Sequence, residues 1–198
     1  LHIDHAGGVP YLLDNGIEIR QVYLPVMAGK QRLDADSLAV LERIRSEGIP
    51  VREIAAGESH TYPTVTITSC WPVAETIRTG QDANDLPMVL RLEMGGYTIL
   101  NTSDLTGYYE NYAAAPADVL KVAHHGSSQS TGEKFLDAVN PQLAIIICSS
   151  GSSYLPGAET LERLQQRDIR MLRTDASGDI TLYVKNGQLL AAPYKEVP

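Results

Sequence analysis

Cysteine is nearly missing from this chain, with only Cys70 and Cys148 in 198 residues. Two thiols exclude a disulfide-stapled scaffold, and Cys148 closes the apolar run LAIIIC, where a small buried thiol is expected. Positive charge is short as well: 16 Lys and Arg against 24 Asp and Glu give a formal net charge of -8. That balance excludes a general nucleic-acid coat protein, because phosphate binding draws most of its free energy from Lys and Arg, though a local basic site stays compatible with it. No apolar run approaches the ~20 residues of a membrane helix, and no stretch has the pattern of a signal peptide. Repeats of fixed period and low-complexity tracts are absent too, so one folded domain over residues 1–198 is expected. Histidine is also scarce. Of five in all, four fall in two short stretches, LHIDHAGG at the start and ADVLKVAHHGSSQS more than a hundred residues later, and the fifth is His60.

Between those stretches the chain alternates strand and helix patterns. IEIRQVYLP has the period-two alternation of a strand, and DADSLAVLERIRSEG places Leu38, Leu41 and Ile44 on one helical stripe that stops at Gly48. PVREIAAG, VTITSCWP, PMVLRLEMGG and YTILNTSD read as strands, the last two joined by a Gly95-Gly96 hairpin turn. A short helix near Tyr108 to Ala113, the buried strand ADVLKVA, a helix from about Gly132 to Val139, the buried strand QLAIIIC and the helix AETLERLQQR follow. RMLRTDASGDITLYV reads as a final hairpin, and Ser130 three residues before Glu133 reads as a capping box. The fold class is mixed α/β, with β-hairpins early and βαβ units late.

On this map the chemistry falls at strand ends: HIDH before Gly7-Gly8, Asp104 after YTILN, and His124-His125 after DVLKVA. Imidazoles and carboxylates are ligands for zinc, manganese or iron, and three or more of them around an open position make a catalytic metal site. Loop capping and turn formation are the plainer alternatives for the same residues. No G-x-S-x-G elbow, Cys/His pair or phosphate-cradling P-loop competes with this reading.

LHIDHAGG resembles the second half of the metallo-β-lactamase superfamily signature HxHxDHxGG, with its first His expected immediately before Leu1. The order MVLRLEMGGYTILNTSD, ADVLKVAHHGSSQS and AIIICSSGSSYLPGAETLERLQQRDIRMLRTDASGDITLYV is more specifically similar to the hydrolase domain of the ComEC/Rec2-type competence proteins and their stand-alone relatives. Those have a strand ending in TGD, a DVLKVxHHGS strand and a late rTDxxG hairpin. The resemblance implies an αββα sandwich with a metal site at one edge between its sheets. On that resemblance, the N-terminal strands of the sandwich are expected to fall before this numbering.

Carried over by position, the resemblance makes His2, Asp4, His5 and Asp104 metal ligands, with Asp4 also the catalytic residue that positions water and Asp104 bridging two metals. His124 or His125 completes the set; His124 is favoured, and His125 supports a neighbour or touches substrate. Lys121 is expected on the opposite face, structural or a distal phosphate contact, while Ser127 and Ser130 bind phosphate or cap the next helix. Relatives often carry a histidine where Leu155 stands in SSYLPGAE, so one or two divalent ions, Zn or Mn, are implied. His60 is read as an exposed loop residue.

Three function classes follow. The first is a metal-dependent phosphodiesterase acting on DNA, of the competence type, on a domain free or tethered to a membrane-spanning parent. The second is a small-molecule metallohydrolase for esters, lactones or lactams, which suits the acidic composition. The third is a binding domain without catalysis. A basic groove formed by Lys121, Arg91 or Arg173 favours the first, and a closed apolar pocket the second. Because metal binding needs neutral imidazoles, with an ordinary pKa of about 6.5, affinity is expected to drop below ~pH 6.

Overall fold

The computed structural model describes residues 2–26, 33–77 and 83–194. Two short helices, α1 (Ile3–Ala6) and α2 (Val9–Asp14), lead into strand β1 (Val22–Pro25), helix α3 (Ala35–Ser46) and strand β2 (Val51–Ile54). β1 and β2 pair in parallel from Val22↔Val51 to Pro25↔Ile54, and α3 covers them with Val40, Leu41 and Ile44. The Asp34 carboxylate accepts the Ser37 N–H at 2.7 Å to cap this helix, and Gly48 follows it at φ +72°. Leu38, expected on the buried stripe, is 44% exposed; Val40 takes its place. The strand read over residues 17–25 is shorter than expected, because β2 begins only at Val51 and residues 17–21 have no partner strand.

Seven further strands make one sheet in chain order: β3 (Ser59–Thr61), β4 (Thr66–Trp71), β5 (Val89–Met94), β6 (Tyr97–Asn101), β7 (Val119–Lys121), β8 (Leu143–Ile146) and β9 (Arg170–Arg173). β3 to β6 run antiparallel and β6 to β9 parallel. Gly95 and Gly96, at φ +57° and +86°, make the β5–β6 turn, which needs positive φ at both positions. Parallel pairing requires crossovers, and helices α4 (Glu110–Ala113), α5 (Glu133–Val139) and α6 (Ala158–Gln165) supply them.

Alternation along each strand divides the core. In β7, Leu120 joins Phe135, Leu136, Val139 and Leu164 on the helical face, whereas Val119 joins Leu143 and Leu172 on the other. That second face is covered by a separate hairpin, β10 (Ile180–Lys185) and β11 (Gln188–Pro193), through Ile180, Leu182, Leu189 and Ala191. The result is a mixed α/β fold around a central mixed sheet, with two smaller sheets beside it.

Three expectations are corrected by the structure. RMLR is the seventh strand of the central sheet; the last hairpin is β10–β11, because the one-turn helix α7 (Thr174–Ser177) and Gly178 at φ +66° redirect the chain after β9. HIDH is not a strand end but runs into α1, and α5 is preceded by Gly132 rather than capped by Ser130.

Candidate metal centre

Three segments bring the acidic and imidazole groups together. α1 carries Asp4 and His5. The end of β6 turns at Ser103, φ +50°, and delivers Asp104, 4% exposed. The end of β7 turns through His124, His125 and Gly126, all at positive φ (+49°, +53° and +84°). A non-glycine residue held in that region costs about 1–3 kcal/mol, so the surroundings must over-determine it.

They do so from several directions. The His124 N–H donates to the Ser103 carbonyl at 3.1 Å, and the Ser130 hydroxyl donates to the Leu105 carbonyl at 3.0 Å. Buried Glu110 accepts the N–H groups of Thr131 and Gly132. Arg163 donates to the carbonyls of Ser128, Ser130 and Thr131 at 2.9 to 3.0 Å. Burial raises the Glu110 pKa, and the two amide donors work against that shift. Neither Glu110 nor Arg163 was evident as part of the site from the sequence, since each acts on backbone groups through a loop more than 20 residues distant.

The resulting cluster is Asp4, His5, Asp104 and His125, whose ligand atoms all lie within 4.8 Å of one another. His5 Nε2 lies 3.0 Å from Asp104 Oδ2 and 3.6 Å from Asp4 Oδ2. His125 Nε2 lies 3.3 Å from both of those carboxylate oxygens. Its other nitrogen, Nδ1, is 2.8 Å from the Ile147 carbonyl, an acceptor that keeps the proton on Nδ1 and leaves Nε2 facing the carboxylates. A backbone carbonyl behind an imidazole is the usual orienting partner of a metal-binding histidine. The sequence reading favoured His124, but the structure brings His125 to the cluster.

The charges are strongly coupled. The hydrogen bond that the His5 ring donates to Asp104 raises the His5 pKa, against partial burial. Burial alone would raise the Asp104 pKa, but His5 and the Lys121 ammonium outweigh it and hold that carboxyl far below its usual range. Lys121 does not point away as expected: its Nζ lies 2.6 Å from the Ser103 carbonyl and 3.5 Å from Asp104 Oδ1. Burial lowers the Lys121 pKa and Asp104 opposes that shift.

The cluster opens into a cavity of about 460 Å³ between β1 and the ends of β5, β6 and β7. His2 and Lys121 line it, with Tyr23, Leu24, Met88 and Ile147 among its apolar walls. His2 stands outside the four-residue set. Ser127 is in neither the set nor the wall; its hydroxyl accepts the Gln129 N–H at 3.4 Å within its own loop. Leu155 also stands apart from the set, on the loop whose Pro156 packs against Gly126. His60 is no exposed loop residue but belongs to β3, half-buried against the Tyr23 ring at 4.6 Å. No basic groove forms from the three expected cations: Arg91 pairs with Glu93, Arg173 pairs with Asp175, and only Lys121 reaches the cavity. Cys148 is half-buried and its thiol, with a pKa raised by burial, donates to Asp175 at 3.3 Å.

The architecture is thus that of a mixed α/β domain. More particularly, the chain is similar in sequence to part of several bacterial proteins, competence proteins among them. It is 33% identical over 189 residues to ComE operon protein 3 of Bacillus subtilis, covering 92% of this chain and 24% of that protein. Competence protein ComA of Neisseria gonorrhoeae is 32% identical over 117 residues, 56% of this chain and 17% of its own length. The chain therefore spans about a quarter or less of these two relatives. Among solved structures it is similar to the metallo-β-lactamase fold protein YhfI of Bacillus subtilis, with 12% identity, 87% of this chain and 70% of that one covered, and a TM-score of 0.45. No family model matches the chain. Among the described residues, no helix is long and apolar enough to cross a membrane.

Proposed function

We propose that this chain is a metal-dependent hydrolase, and that its substrate is a phosphodiester of DNA. The observation that carries the first part is the convergence of Asp4, His5, Asp104 and His125 at the mouth of one cavity. Two carboxylates and two imidazoles fit a zinc or manganese ion by donor chemistry, and the oriented Nε2 of His125 fits the same purpose. The second part is supported by the similarity to competence proteins.

Asp4, His5, Asp104 and His125 would hold a divalent ion, which when bound would lower the pKa of a water from about 15.7 toward ~7. The chain's own groups supply the rest. Asp4, the more exposed of the two carboxylates, orients the attacking water and accepts its proton. Asp104, buried and kept ionised by its neighbours, holds His5 and His125 in register. Lys121 meets a non-bridging phosphate oxygen from the cavity wall, offsetting charge as it develops.

A second reading, a hydrolase of small esters or lactones, is favoured by the apolar cavity wall and the lack of a basic groove among the described residues. The test is cleavage of end-labelled single-stranded and duplex DNA with added Mn²⁺, run beside a panel of aryl esters and lactones. Manganese-dependent DNA cleavage lost in Asp104→Asn supports the phosphodiesterase. Turnover of esters alone moves the assignment to the small-molecule class. Metal binding with no turnover of either substrate contradicts a hydrolase.

A further inference from the structure

The His125 ring is held from behind. Its Nδ1 lies 2.8 Å from the Ile147 carbonyl, and that contact turns Nε2 toward Asp4 and Asp104. The aim of the cluster-facing nitrogen therefore depends on what holds the carbonyl. Ile147 lies one residue past the end of β8, whose last register pair is Ile146↔Arg173, and it is 46% exposed. Burial of its own side chain fixes that peptide only weakly.

The anchor sits on the other side of the same peptide. The Thr174 hydroxyl accepts the Cys148 N–H at 2.9 Å and donates to the Cys148 carbonyl at 2.8 Å. The Cys148 N–H and the Ile147 carbonyl belong to one planar peptide unit, so fixing the first fixes the second. Thr174 is itself secured where β9 passes into α7: its carbonyl accepts the Gly178 N–H at 2.9 Å. On its flanks Arg173 donates to both Asp175 oxygens, at 3.0 and 2.6 Å, and the Cys148 thiol donates to Asp175 Oδ1 at 3.3 Å. Neither Thr174 nor Cys148 lines the cavity, so the hydroxyl acts through the peptide and not on a substrate.

We infer that Thr174 is a positioning residue of the metal centre: its hydroxyl fixes the peptide between Ile147 and Cys148, and that peptide aims His125 Nε2 at the ion. This rests on the metal-dependent reading above. The relay runs from Thr174 Oγ1 to the Cys148 N–H, across the peptide to the Ile147 carbonyl, and on to His125 Nδ1. Each hydrogen bond in such a chain polarises the next. A hydroxyl is required, because a methyl in its place accepts nothing and leaves the Cys148 N–H unsatisfied.

Thr174→Val removes the hydroxyl and keeps the shape, whereas Thr174→Ser keeps the hydroxyl. Mn²⁺ affinity, from equilibrium dialysis with elemental mass spectrometry, is expected to fall on the order of tenfold in Thr174→Val and to stay unchanged in Thr174→Ser. A second readout needs no metal. The His125 Nδ1 proton of the metal-free chain, assigned in nitrogen-correlated proton NMR spectra by its absence from His125→Ala, is expected to exchange slowly in the unaltered chain and in Thr174→Ser, and to broaden away in Thr174→Val. Unchanged affinity or an unchanged proton signal in Thr174→Val overturns the inference. Equal losses in Thr174→Ser overturn it too, since the residue would then only pack. An unaltered chain that binds no Mn²⁺ overturns the metal-dependent reading, and the proton signal still decides whether Thr174 positions His125. Should Thr174→Val not fold, amide exchange of the unaltered chain decides instead: a protected Cys148 N–H supports the inference, and one that exchanges at the free rate overturns it.

Discussion

At the residue scale, the coupling of His5 to Asp104 fixes how the site responds to protons. Because Asp104 raises the His5 pKa above its ordinary value of 6.5, a metal ion must displace that proton at neutral pH as well as in acid. Manganese affinity measured against pH is therefore expected to fall about tenfold per unit below the raised His5 value, with the fall beginning above pH 6.5 rather than near pH 6. In the metal-free chain the same pair acts on stability with the opposite slope. The His5 contribution is fully present below 6.5 and is lost as pH rises through its raised folded value. The Asp104 contribution is present above 3.8 and is lost only in strong acid, as pH falls through its depressed folded value. Urea midpoints of the metal-free chain should thus decline on the alkaline side of 6.5, and midpoints that climb there would contradict a folded His5–Asp104 ion pair.

At the element scale, the decisive structure is the left-handed turn at the end of β7. Gly126 has φ +84°, and an added Cβ would lie 2.6 Å from Pro156 Cβ, so Gly126→Ala meets both backbone strain and a clash. A loss of about 2–4 kcal/mol is expected from chemical denaturation. Gly187, at φ +75° in the β10–β11 turn, has nothing near its Cβ position, and Gly187→Ala should cost only about 1–2 kcal/mol. A cost at Gly126 no larger than at Gly187 would show that the loop yields freely. This turn also marks where sequence patterns stop being informative. Alternation located the strand DVLKV, and the run of charge and imidazole after it located the site, but His124 and His125 both sit at positive φ, where strand periodicity no longer says which side chain points inward. Lys121 was misplaced for a related reason: strand alternation fixes where Cβ points, not where a four-carbon stem carries its ammonium. The β10–β11 hairpin was legible in Asn186-Gly187, a strong two-residue turn signal that the longer pattern of RMLRTDASGDITLYV obscured.

At the scale of the whole molecule, a net charge of -8 and the pairing of Arg91 and Arg173 leave little positive surface around the cavity. DNA bound here would make few phosphate contacts. The logarithm of its affinity should then fall with the logarithm of salt at a slope of only about 1–2, read by fluorescence anisotropy. A slope of about 5 or more would reveal a basic face outside this cavity. The net charge needs no fold to be read, because it is a sum over residues. The division of labour between sheets was less legible: seven strands in one sheet, with β1–β2 and β10–β11 apart, depend on long-range pairing that no local pattern records.

Which imidazole completes the centre with Asp4, His5 and Asp104 decides how the site works. Bound manganese, counted by elemental mass spectrometry on the unaltered chain, His124→Ala and His125→Ala, tests it most directly. Manganese retained in the first two and lost in His125→Ala is the expected result. Loss in His124→Ala with retention in His125→Ala would contradict the geometry described here.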